Sequence, residues 1–215
     1  GERPFVHYQD VTRGYASAFA RESFETAKTA TSWRQAIKQA CRAARRTRHG
    51  GVPVDIPGGS VDLVTSSMVM SQFAHDPYRY FSLQVAARLG PPSAQEERQL
   101  ARPLEMLQDA LIRAQIESHL DEMERIMAPD GRLFVAFEMF HYVPASGAYF
   151  LVRDMHRALE IIGQRFDFDV LPGMDSVVQV RVLGSPSVVH AYMLRRRAAG
   201  DRSGANPAGA ARAAG

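Results

Sequence analysis

Cysteine is nearly absent: Cys41 is the only one, so the chain can form no internal disulfide, and its neighbours Ala40, Arg42 and Ala43 put no metal-ligand spacing around it. A reducing compartment is expected, with Cys41 a small residue in a helical stretch. No apolar run approaches the roughly 20 residues that span a bilayer. The N-terminus GERPFVHYQD carries neither the basic nor the apolar region of a signal peptide. These absences predict a soluble, cytoplasmic protein with no membrane partner. No internal repeat is found. His75 with Asp76, His119 with Asp121 and His156 with Asp154 each lack a third ligand at a usual spacing, which argues against a metal site. The charge is close to balanced, 26 Lys and Arg against 23 Asp and Glu. The basic excess sits in Arg42 to Arg48 and Arg195 to Arg197, both at the ends of expected elements, so it says little about partners. A cation run at a helix C-terminus interacts favourably with the last carbonyls, which accounts for Arg42, Arg45, Arg46 and Arg48 without a ligand.

What is present suits one α/β domain: 215 residues, 46% hydrophobic, can bury a sizeable core. Pro4 to Tyr8 reads as a short strand ending at Asp10. Residues 14–48, rich in Ala, Arg, Lys, Glu and Gln, read as two helices broken at Thr31-Ser32, where Ser32 and Gln35 form a capping box. The connector HGGVPVDIPGGS leads to Val61–Thr65, a short apolar run expected to be a buried parallel strand. Asp76-Pro77 is expected to turn the chain into the helical YFSLQVAARL, which Gly90-Pro91-Pro92 stops. Leu104, Leu107, Leu111, Ile116, Leu120, Met123 and Met127 then recur at helical spacing up to a turn at Pro129-Asp130-Gly131. Leu133–Phe137 is the second expected buried parallel strand. A helix over Tyr149–Gln164 follows, then strands at Phe166–Val170, Val177–Val182 and Val188–Leu194 that would close the sheet edge. Residues 198–215, mostly Ala, Gly, Ser and Pro, are expected to be a disordered tail.

Two blocks carry a resemblance. Ser60-Val61-Asp62-Leu63-Val64-Thr65-Ser66-Ser67 resembles the "sxDLVxSS" strand of class I S-adenosylmethionine-dependent methyltransferases. Leu120, Glu122, Arg125, Ile126, Pro129 and Gly131 resemble that family's "L-x-E-x-x-R-x-L-x-P-G-G" helix and turn, with Asp130 where glycine is common. FDFDVLPGM and VVHAYMLRRR resemble its reversed final strands, so the likeness covers roughly residues 50–197. It implies an α/β, Rossmann-like methyltransferase sheet, mostly parallel with an antiparallel C-terminal hairpin. The family's "D-x-G-x-G" loop, which wraps the methionine part of the cofactor, occurs nowhere in the sequence. Gly50-Gly51 and Gly58-Gly59 precede the matching strand instead of following one. The loop would lie before Gly1, so residues 1–197 are expected to be a partial domain with its N-terminal strands absent and no activity on its own.

The resemblance implies methyl transfer from S-adenosylmethionine to an unidentified acceptor, a small molecule being favoured over nucleic acid. A non-catalytic binding or scaffold module is the other reading. In an open α/β sheet ligands sit beyond the strands' carboxyl ends. Asp10, ending the family's second or third strand, would accept hydrogen bonds from ribose or adenine; a helix-capping role is the plain alternative. Ser66, Ser67 and Met68 would line the cofactor side of the cleft, or simply cap a helix. Glu138 and His141, with Phe140 and Tyr142, would meet the acceptor, His141 as general base, although a histidine after a strand is commonly a solvated loop residue. Asp62 is read as structural, and Met70 as core.

Overall fold

The computed structural model describes residues 13–47, 53–67, 70, 75–152, 155–169, 177–182 and 185–197. The strand expected at Pro4 to Tyr8, Asp10, Met68 and the tail after Arg197 lie outside these residues. The chain divides into two compact units, Gly1–Ile56 with Ala74–Glu122, and Pro57–Phe73 with Met123–Gly215.

The first unit is helical: α1 (Tyr15–Thr29), α2 (Trp33–Arg46), α3 (His75–Leu89) and α4 (Ala94–Ile126) as far as Glu122. The break between α1 and α2 falls where expected. Ser32 Oγ accepts the Gln35 N–H at 3.3 Å, while the Gln35 side chain reaches back one residue further, to the N–H and hydroxyl of Thr31. Buried Tyr15 donates its hydroxyl to the Ala44 carbonyl at 2.9 Å, and burial pushes its phenol pKa up. The Trp33 indole donates to the carbonyl of Gly90, whose φ of 80° ends α3 in the left-handed region. The expected turn at Asp76-Pro77 is instead the start of α3. Pro77 falls in the first helical turn, where a missing N–H leaves no helical acceptor unmet.

Helix α4 follows Gly90-Pro91-Pro92 as expected and begins at Ala94, where Ser93 and Glu96 form a capping box. Glu96 accepts from the Ser93 N–H and hydroxyl at 2.9 and 2.7 Å, and Ser93 Oγ accepts the Glu96 N–H. Those bonds hold the Glu96 carboxyl below the usual carboxylate range. Leu107, Leu111, Ile116 and Leu120 are completely buried, as their spacing predicts. Glu122, also completely buried, accepts the Val54 N–H at 2.9 Å and pairs with Arg13 at 3.5 Å. The glutamate of the second motif thus anchors the connector ahead of the first strand.

The second unit holds a mixed, open sheet: β1 (Val61–Ser67), β2 (Met127–Val143), β3 (Ala148–Leu151), β4 (Phe166–Asp169), β5 (Val177–Val182) and β6 (Ser185–Arg196), with α5 (Met155–Arg165) between β3 and β4. The order is β1-β2-β6-β4, β3 pairing with β2 and β5 with β6. Val61–Thr65 and Leu133–Phe137 lie in adjacent parallel strands, as expected. The expectation of a mostly parallel sheet needs correction, since every other pairing among the described residues is antiparallel. Three of these pairings involve β6, which is long enough to lie between β2 and β4, runs against both and does not close an edge; the fourth is β3 folding back onto β2.

Two further boundaries move. The turn at residues 129–131 is an irregularity inside β2: pairing passes from Val61–Met127 to Leu63–Arg132, so residues 128–131 bulge opposite Asp62, which is exposed. The expected helix over Tyr149–Gln164 begins only at Met155. Tyr149-Phe150-Leu151, a β-favouring run after the left-handed Gly147, folds back onto β2 as β3. The C-terminal arginines are occupied within this unit. Arg195 and Arg132 share Asp169 at 3.3 and 2.8 Å, Arg197 meets Asp167, and Arg196 donates to the carbonyls of Glu124 and Met127. Met70 is buried, as expected. Among the described residues no helix is long and apolar enough to cross a membrane, and no three His, Cys, Asp or Glu residues group as a metal site.

Candidate active site

Strand register determines which candidate residues share a face, because cross-strand partners project to the same side and neighbours along a strand alternate. Ser67 is opposite Ala136, two residues before Glu138, so Ser67, Ala136 and Glu138 share one face. A bulge at Met139 then shifts the alternation: Glu138 is opposite Val189 but His141 is opposite Ser187. Without it Glu138 and His141, three residues apart, would face opposite sides; with it they face the same side. The Ser187 hydroxyl, 2.5 Å from Glu138 Oε1, agrees with that geometry.

Position along β2 adds a second feature. At Phe140 and His141 this strand pairs with β6 on one edge and β3 on the other, and at Leu133 to Ala136 with β6 and β1. Hence β1 and β3 share an edge of β2. The β1 pairing ends at Ala136, and the β3 segment closes with the Val152 N–H donating to the Met139 carbonyl at 2.7 Å. Between them, among the described residues, this edge of β2 is unpaired over about 10 Å, three residues of strand rise, which leaves a notch between the two described pairings. No described strand pairs there with Phe137 or Glu138. Because β3 runs against β2, the carboxyl ends of β1 and β3 face each other across the notch.

Ser67 is exposed at one lip and His141 is exposed beyond the other. Glu138, buried, lies between them with Ser187 as its hydrogen-bond donor. Ser66, by contrast, is buried and pairs with Val135 on the opposite face. Two expectations of position are corrected: Ser66 and Ser67 are the last residues of β1 and do not follow it, and Glu138 to Tyr142 lie within β2 and do not emerge from it. Asp10 and Met68 lie outside the described residues.

Sequence reasoning missed Ser187, whose role depends on a pairing between strands 49 residues apart. It also missed His190 and Tyr192, two apart in β6 and so on one face, with Nδ1 and the phenol oxygen 2.9 Å apart. Burial lowers the His190 pKa and raises that of Tyr192. Both lie on the face of Val135 and Phe137, opposite to Glu138. The tyrosine ring packs against Phe137 and edge-on against Phe168, with centroids 6.1 and 5.1 Å away.

No protein-family model and no curated protein matches the chain. One solved structure, provisionally described as a DNA modification methylase from Thermus thermophilus, is similar over 72% of this chain with 16% identity and a TM-score of 0.32. The chain spans about half of that structure, 52% of its length. So slight a likeness says nothing about function.

Proposed function

We propose that the notch at the carboxyl end of β1 is the acceptor side of a methyl-transfer site in an S-adenosylmethionine-dependent methyltransferase. One observation carries the reading: the strands of the two resembling blocks are adjacent and parallel, with Ser67, Glu138 and His141 on one face beside an interrupted sheet edge. Ligands of open α/β sheets sit beyond such carboxyl ends. The groups present suit a ligand bearing hydroxyl and amino groups, since Ser67 can donate or accept and the backbone at Phe137 and Glu138 meets no described strand there. A turn for the methionine end of the cofactor is not part of this sequence.

S-adenosylmethionine, when bound, supplies a methyl group on a sulfonium, open to in-line displacement by an acceptor. The protein's own task is alignment and exclusion of water. Ser67, with Met68, would border the cofactor, and Asp10 would accept from its ribose; Ser66, on the opposite face, has no part in the site. Exposed His141 would take the acceptor's proton. Glu138, held by the Ser187 hydroxyl, would provide a fixed negative charge that steadies the protonated imidazole.

Titration of the isotopically labelled chain with millimolar S-adenosylmethionine tests this by amide chemical shifts. Changes should gather at Ser67 and residues 137–141. An unperturbed spectrum, or changes confined to the helical unit, would refute the assignment and favour the non-catalytic scaffold reading.

A further inference from the structure

Helix α2 places Arg34, Lys38, Arg42 and Arg45 at intervals of four, four and three residues, which is one side of a helix. The other side is core: Ala36, Ile37, Ala40, Ala43 and Ala44 are buried. Within the same unit α4 presents Arg102, Pro103 and Met106 to that basic row. An open groove of about 530 Å³ lies between the two helices. Five cations line it and no carboxylate does. All five side chains are exposed, and among the described residues none is engaged in a hydrogen bond or ion pair. Arg46, on the same helix but outside the groove, does pair, with Glu22 at 3.1 Å.

Folding alone does not explain the row. The helix dipole favours cations in the last turn, which covers Arg45, but Arg34 is the second residue of α2, at the positive end, with no acidic residue in the first turn. Like charges four apart, as in Arg34 with Lys38 and Lys38 with Arg42, are destabilising by some tenths of a kcal/mol each. The helix-terminal explanation drawn from sequence therefore accounts for only part of the cluster.

The row from Arg34 to Arg45 is about 16 Å long at the rise of an α-helix. A single phosphate or carboxylate can meet only a few of its cations at once, whereas a linear polyanion can meet them all. The cations flank a concave groove with no aromatic residue in it. A membrane-binding face presents aromatic or leucine anchors on an outward surface instead, and base stacking needs aromatic platforms. We propose that this groove binds the phosphodiester backbone of a nucleic acid, without reading its bases.

The test is fluorescence anisotropy of the whole chain with a labelled mixed-sequence DNA duplex, over a range of salt. The expected slope of log K against log salt is about −4.5, near −0.9 for each of five phosphates neutralised. Arg42→Gln with Arg102→Gln should weaken binding at least tenfold at fixed salt and bring the slope nearer zero by about 2. A scrambled duplex should bind equally well. Arg46→Gln with Arg88→Gln removes the same charge outside the groove and should leave affinity within about twofold. All four substitutions are at exposed positions, and unchanged circular dichroism verifies the fold. The proposal is overturned by no binding at low salt, by an equal loss in the charge-matched control, or by a groove variant that loses phosphatidylserine vesicles while retaining DNA.

Discussion

Replacing Gly131 and Gly163 by alanine should move stability in opposite directions. A Cβ built on Gly131 would lie 2.7 Å from Met127 Cγ, 2.9 Å from the Val61 carbonyl oxygen and 3.0 Å from that of Ala128. Two of these atoms are backbone and cannot rotate away. Relief requires the β2 irregularity to withdraw from β1 at the start of their parallel register, where Val61 faces Met127. Overpacking of this kind costs about 1–3 kcal/mol. Gly163 lies inside α5, and its added Cβ would meet Phe168 Cε2 at 3.7 Å, an ordinary contact. Alanine there should stabilise by about 0.5–1 kcal/mol, the difference in helical backbone entropy. At some 2–4 °C per kcal/mol for a chain of this size, the two melting temperatures should differ by at least about 3 °C. Thermal unfolding followed by circular dichroism, with urea midpoints as a second measure, reads both variants against the parent. If Gly131→Ala melts at or above the parent temperature, the close approach of β1 and β2 at this point is wrong.

Four further outcomes are expected. Ser187→Ala removes the donor to the buried Glu138 carboxylate and should cost about 1.5–3 kcal/mol; a double-mutant cycle with Glu138→Leu that gives no coupling would contradict the pair. Burial depresses the His190 pKa in the fold, below the 6.5 of an exposed histidine. Acidification through 6.5 then protonates the unfolded chain first, so stability falls as pH drops towards the folded value. His190→Gln should flatten that part of the melting-temperature profile, and parallel profiles would refute the assignment. Deleting residues 198–215 should change the melting temperature by less than about 4 °C, because their composition offers no core. Calorimetry should find the chain binding S-adenosylmethionine weakly, since no D-x-G-x-G turn is present; sub-micromolar affinity would overturn that reasoning.

Local rules in the sequence were enough to locate the α1–α2 break at Ser32, the apolar stripe of α4 and the two parallel strands. Capping, helical periodicity and short doubly apolar runs act within a few residues, so they are legible without the fold. The same kind of signal misplaced Tyr149-Phe150-Leu151, whose strand conformation depends on a partner edge at Phe140 to Val143 that no local pattern reveals. Nor could it correct the expectation of a mostly parallel sheet, because β6 acquires its position between β2 and β4 only when distant segments meet. Within the candidate site, residue types beside strand ends could be named from sequence. Their division between faces could not: the Met139 bulge turns Glu138 and His141 to one side, and cross-strand register sends Ser66 to the other. The basic groove divides in the same way. Periodicity puts Arg34, Lys38, Arg42 and Arg45 on one side of α2, but only packing within the helical unit brings Arg102 of α4 opposite them, since the spacing of helices is set by buried side chains far apart in the chain.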